Sequence, residues 1–156
     1  MRSDRAGLEK IKRWCAYQER SHFETRQKLT AWGWKNEQIE EALSILISEN
    51  YLNEERFARA LVRGKFRLKG WGRVKLRKEL MGHRISAPNI NLALTEIEEN
   101  EYLRTMRELA EKKRREKATA SPIMLQAAIY RFLLSKGYEA ELIQHHIIRN
   151  TALHES

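Results

Sequence analysis

One cysteine and five histidines are the side chains of this chain best suited to nucleophilic or metal chemistry, and their spacing builds neither. The histidines are His22, His83, His145, His146 and His154. His145 and His146 are adjacent and would project about 100° apart on a helix, too divergent to share an ion easily. Glu141 and His145 would share a face, but two ligands without a third make a weak metal site. Cys15 lies among Ile11, Trp14 and Ala16, the setting of a packing thiol rather than an activated one. There is no glycine-rich phosphate loop, no metalloprotease His-Glu-x-x-His helix and no nucleophile elbow. The carboxylates fall on helical stretches rich in i, i+4 charge pairs, where they read as surface. These patterns predict a protein without catalytic residues, cofactor or metal.

Binding chemistry is better represented. From Arg63 to Lys78 there are eight basic residues before the first acid, Glu79: Arg63, Lys65, Arg67, Lys69, Arg73, Lys75, Arg77 and Lys78. On a wheel of about 100° per residue, Phe57, Ala58, Leu61, Val62, Phe66 and Leu68 cover one half of a helix. Arg59, Arg63 and Arg67 line the other side, and Lys65 and Lys69 lie at the edge of the apolar arc, where long stems snorkel outward. Trp71, between Gly70 and Gly72, either plugs a helix junction or stands exposed as an aromatic that stacks on a base or anchors a protein interface. The surface predicted from this run comprises Arg63, Lys65, Arg67, Lys69, Trp71, Arg73, Lys75 and Lys78, facing phosphate or an acidic partner. Arg77 falls inside an apolar arc of Val74, Leu76, Leu80 and Met81. Arg26 occupies the same repeat position, so both are expected to be buried in structural ion pairs, with a ligand contact as the alternative. A second basic run, Lys112-Lys113-Arg114-Arg115-Glu116-Lys117, suits either a solvated helix end or binding.

The elements that position these residues recur. Ile39, Ala42, Leu43 and Leu46 have helical spacing, and Ile90, Ala93, Leu94 and Ile97 repeat it 51 residues later. Upstream, Phe23 matches Val74, Arg26 matches Arg77, Leu29 matches Leu80 and Trp34 matches Ile85. A fainter third copy, offset by 53, contains Ala127, Tyr130, Leu133, Tyr138, Ile143, His146, Ile147 and Asn150. His146 stands where the other copies have alanine, as a core or interface histidine. Each copy reads as three short helices: 6–18, 22–31 and 37–48; 54–68, 73–82 and 87–98; 101–117, 122–135 and 140–151. Ser21-His22-Phe23-Glu24 is a capping box, Asn53 precedes two acids, and Ser121 precedes a first-turn proline. Gly33 and Gly137 stand as helix stops. The prediction is an all-α chain of three tandem three-helix repeats, 1–52, 53–99 and 100–156. Small units of this kind gain burial by stacking into an elongated array, with one compact bundle as the alternative.

Composition bounds the rest. The 156 residues carry 30 Lys and Arg against 21 acids, a net charge of +9, which makes a polyanion the first partner to consider. No apolar run approaches the roughly 20 residues that span a bilayer, no signal peptide is visible, and a lone cysteine suits a reducing cytoplasm.

The stretch Tyr51-Leu52-Asn53-Glu54-Glu55-Arg56-Phe57-Ala58-Arg59-Ala60-Leu61-Val62-Arg63-Gly64-Lys65-Phe66-Arg67, then Lys69-Gly70-Trp71-Gly72-Arg73 and Leu76-Arg77-Lys78-Glu79-Leu80, resembles the signature of the RecX regulatory proteins. The resemblance is specific over residues 51–80 and loose after about residue 100. It implies a curved, elongated, monomeric array that is not an enzyme. It further implies a modulator lodged in the groove of the RecA–DNA filament, mainly inhibiting recombinase, ATPase and co-protease activities in recombination, repair and the SOS response. The partners expected are RecA and DNA, with no membrane; an autonomous DNA- or RNA-binding helical protein is the alternative. Where the family carries Lys-Gly-Ile, this chain has His83-Arg84-Ile85, and Gly82 is expected to supply the helix stop.

Overall fold

The computed structural model describes residues 2–148, and the regular structure among them is helical. The α-helices are α1 (Arg2–Tyr17), α2 (His22–Ala31), α3 (Asn36–Ser48), α4 (Glu54–Lys69), α5 (Arg73–Gly82), α6 (Ala87–Leu94), α7 (Glu99–Glu116), α8 (Pro122–Lys136) and α9 (Ala140–Ile143), the last continued by a π turn at Gln144–Ile148. Three boundaries differ most from expectation, the first being α1, which begins at Arg2 rather than 6. α6 ends at Leu94 rather than 98, because Glu98 caps α7, accepting from the backbone N–H groups of Asn100 (3.2 Å) and Glu101 (3.3 Å). The last helix passes into a π turn after Ile143; Asn150, His154 and the predicted helix end at 149–151 lie outside the described residues.

The caps form as their sequences dictate. Ser21 Oγ accepts from Glu24 N at 3.0 Å while Glu24 Oε1 accepts from Ser21 N at 2.8 Å. Asn53 Oδ1 accepts from Arg56 N, and Ser121 Oγ from Met124 N ahead of which Pro122 opens α8.

The three copies share one helix-end geometry. Trp34 N donates to Leu29 O, Ile85 N to Leu80 O and Tyr138 N to Leu133 O, at 3.1, 3.1 and 3.0 Å. The preceding residue has left-handed backbone each time: Gly33 (φ 87°), Arg84 (φ 61°) and Gly137 (φ 98°). Arg84, not Gly82, therefore stops α5; Gly82 is simply its last helical residue. A non-glycine residue there costs about 1–2 kcal/mol, and Arg84 packs its guanidinium over the Phe23 ring at 5.1 Å. Buried positions recur as well: Leu29, Leu80 and Leu133, then Ile39, Ile90 and Ile143.

Packing divides the chain differently from the repeats. One compact unit comprises residues 1–61 and 80–93, the other 62–79 and 94–156, so the cuts fall inside α4 and α5 and at the last residue of α6. The first unit has a core of Ile11, Cys15, Leu29, Ile39, Ala42, Leu43, Leu46 and Leu52. Burial raises the Cys15 thiol pKa, consistent with a packing thiol. The second unit is built on Phe66, Tyr102, Met106, Ala110, Ile129, Leu133, Tyr138, Ile143 and Ile147.

Candidate functional site

The basic run lies within the second unit, on the end of α4, the start of α5 and the turn Gly70-Trp71-Gly72 between them. Gly70 ends α4 with φ 67°, where a side chain would be strained. The orphan carbonyls at this end are taken from a distance in sequence. Lys136 Nζ donates to Lys69 O at 3.0 Å, and the buried Tyr138 hydroxyl donates to Gly70 O at 2.9 Å. Across the turn, the orphan N–H groups opening α5 also have partners. Gly72 N donates to Lys136 O (2.7 Å), Arg73 N to Tyr102 Oη (2.9 Å) and Val74 N to Gly137 O (2.9 Å). The N-terminus of α5 thus meets the C-terminus of α8 end to end, each satisfying what the other leaves open. The contact admits only hydrogen: a Cβ on Gly72 would stand 2.5 Å from the Gly137 carbonyl, and one on Gly137 would stand 2.4 Å from Lys75 Cβ and 2.6 Å from Lys75 N.

The eight predicted residues fall into two groups. Arg73 is held: its guanidinium lies 3.9 Å from the Tyr102 ring centre and pairs with Glu99 at 2.7 Å and Glu139 at 3.3 Å. Tyr102, fully buried, donates its own hydroxyl to Glu139 Oε1, and burial together with Glu139 raises its pKa far above the usual phenol range. Arg63 pairs with Glu96 at 3.3 Å. Lys65, Arg67, Lys69, Lys75 and Lys78 have no carboxylate at ion-pair distance among the described residues. Three of them gather about half-buried Trp71, with ammonium groups 5.0 Å (Lys65), 6.0 Å (Lys69) and 4.6 Å (Lys75) from its ring centre. Trp71 therefore combines features of both alternatives, resting on a pinned junction while carrying a ring of cations.

Three placements differ from expectation. Arg77 is exposed, because α5 buries only a narrow ridge of Leu76 and Leu80, in line with the buried Gly72 just before it, and leaves Val74 and Met81 in solvent at 51% and 60% exposure. Arg26 is only half-buried, although it has an ion-pair partner, Glu40 at 2.5 Å. Leu68 is 87% exposed, since the buried stripe of α4 follows Ala58, Val62 and Phe66. Of the residues that pin the turn, Tyr138 carries a repeat signal in the sequence, whereas Tyr102, Lys136 and Glu139 carry none.

No group of three or more His, Cys, Asp or Glu that could hold a metal occurs among the described residues, and no described helix is long and apolar enough to cross a membrane. Two family models match the chain: the second three-helix domain of RecX at residues 53–94 and the third at 99–147. A Vibrio campbellii protein named "Regulatory protein RecX" is 31% identical over 127 residues, covering 81% of this chain and 80% of that protein. A protein of the same name from Clostridium perfringens SM101 is 34% identical over 117 residues. The match takes in 74% of this chain but 54% of the relative, so the chain spans about half the length of its clostridial relatives. Among solved structures, "Crystal structure of RecX from Lactobacillus salivarius" superposes with TM-score 0.83 at 23% identity, over 96% of this chain and 97% of that one. "Crystal structure of regulatory protein RecX" gives the same score at 19% identity, over 92% and 71%. These likenesses show a common fold of tandem three-helix domains.

Proposed function

Because this chain belongs to the RecX family of regulatory proteins, we propose that it binds the RecA–DNA filament and inhibits recombinase, ATPase and co-protease activities without chemistry of its own. Its setting on this reading is the cytoplasm, in recombination, repair and the SOS response, and it acts as a monomer. The observation that carries the reading is the turn at Trp71: Lys65, Arg67, Lys69, Lys75 and Lys78, without acidic partners among the described residues, on a backbone fixed at both ends by α8. A pre-positioned cationic surface suits a nucleoprotein filament, whose acids and phosphates it meets without reordering.

Purified chain added to RecA, single-stranded DNA and ATP is expected to lower ATP hydrolysis. The variant Lys69→Glu with Lys75→Glu should keep its helical circular dichroism and raise the half-inhibitory concentration about tenfold or more, as loss of roughly 1.4 kcal/mol of binding requires. Inhibition at the parent concentration would move the contact elsewhere. Arg73 is unsuitable for this test: a glutamate there would stand beside Glu99 and Glu139 and damage the fold before it reported on binding.

The alternative, an autonomous DNA- or RNA-binding protein, rests on the same cations about an aromatic ring. Such a protein binds bare nucleic acid as tightly as the filament. A filament modulator binds the filament far more tightly, and parallel titrations at one salt concentration separate the two.

A further inference from the structure

In the first unit, cations and tryptophans alternate along α1, α2 and the residue that ends α2. Lys10 Nζ stands 4.4 Å from the Trp32 ring centre, and Lys28 Nζ is within reach of both rings, 6.0 Å from Trp32 and 5.7 Å from Trp14. Arg20 closes the row, its guanidinium 3.9 Å from the Trp14 ring centre and its Nε donating to Trp14 O at 3.2 Å. Both tryptophans are half-buried and pack against the core of this unit, which fixes the row. The acids nearby are committed elsewhere: Glu9 and Glu49 to Lys12, Glu19 to Arg56, and Glu24 to the Ser21 cap. Lys10, Arg20 and Lys28 have no carboxylate at ion-pair distance among the described residues. On the Lys10 side of α1, Arg13, Trp14 and Tyr17 follow at i+3, i+4 and i+7. Arg13 is exposed, and Tyr17 is 84% exposed.

We propose that this face docks an acidic segment of a protein partner, carboxylates meeting Lys10, Lys28 and Arg20 and an apolar side chain covering Tyr17. The inference goes beyond the filament reading, because it assigns a protein contact to the first unit and does not draw on the Trp71 turn. An ammonium group resting on an indole is already ordered and partly stripped of water, so a carboxylate meets it at small entropic cost. The same contacts disfavour a nucleic acid here. Strand binding needs an open ring face on which a base stacks, and Lys10 and Arg20 already occupy faces of Trp32 and Trp14. A duplex would engage the cations through phosphate alone and leave Tyr17 in water. Tryptophan, tyrosine and arginine together are the composition enriched where proteins anchor one another.

The test is fluorescence anisotropy of a labelled peptide of about twenty residues, mostly glutamate and aspartate with leucines interspersed, titrated with the whole chain at low salt. The parent should bind it saturably. Lys10→Glu with Lys28→Glu should weaken binding about tenfold or more, and the milder Lys10→Gln with Lys28→Gln about threefold or more. Helical circular dichroism should match the parent in the glutamine pair, which keeps the test open if charge reversal disturbs the fold. Tyr17→Ala should weaken binding about threefold or more, and should make no difference once the leucines of the peptide are replaced by serine. Lys69→Glu with Lys75→Glu, on the Trp71 turn, should bind the peptide like the parent, which separates this surface from the one proposed for the filament. Absence of binding by the parent, unaltered affinity in both Lys10 and Lys28 pairs, or loss in the Lys69 and Lys75 pair instead would each overturn the site. So would a DNA duplex that binds more tightly than the peptide and depends on Lys10 and Lys28, since that outcome makes the face a phosphate contact.

Discussion

His22 opens α2 with its Nε2 buried and without a hydrogen-bond partner among the described residues, and burial lowers its pKa from 6.5. His146 is lowered too, first by burial and then by His145 and Arg107. In the unfolded chain both rings take a proton near pH 6.5, while in the folded chain they resist until lower pH. Between those values the unfolded state holds more protons, so stability falls as pH drops below about 6.5 and levels off beneath the folded pKa. Urea midpoints measured between pH 7.5 and 5.5 should decrease, and His22→Gln should reduce the slope; an unchanged slope would mean that His22 titrates as in water. Individual placements were the least legible part of the sequence. Eight uninterrupted bases are plain to read, but nothing near Arg73 reveals that its partners are Glu99 and Glu139. Whether a basic residue faces a partner or an internal acid depends on long-range packing that local spacing does not encode.

Helices were more legible than residues, because caps and stops act locally. The Ser21 box, the Asn53 and Ser121 caps and the glycine stops at 33 and 137 each rest on interactions within about one turn. The junction of α5 with α8 could not be read that way, since Gly72 looks like any turn glycine until Gly137 is placed against it. Gly72→Ala is expected to destabilise the chain by about 2–4 kcal/mol, since the obstacle is backbone rather than a side chain able to move. Gly137→Ala should cost at least as much, adding left-handed strain to contact with Lys75. Gly33→Ala, with open space around it, should cost only about 1 kcal/mol. Equal thermal or urea shifts for the three would contradict the end-to-end contact.

At the scale of the whole chain, the repeats were legible as sequence and the packing units were not. Recurrence at 51 and 53 residues follows the tandem domains, while the compact units exchange parts of the middle copy. A peptide of residues 100–156 should accordingly lack cooperative unfolding. It omits Phe66 from its core and the Gly70 and Gly72 groups that Tyr138 and Lys136 engage. Adding residues 62–79 as a separate peptide should raise its helicity, and a sharp melting transition for 100–156 alone would refute this division. Both units are assembled from stretches that are not consecutive, which has a consequence for synthesis. When Ala93 leaves the ribosome the first unit holds every segment it needs, yet residues 62–79 have already emerged with Phe66 lacking the tyrosines that will cover it. That stretch must wait for the last third of the chain, leaving a nascent interval in which an apolar side chain and a row of cations stand open to whatever the cell supplies first.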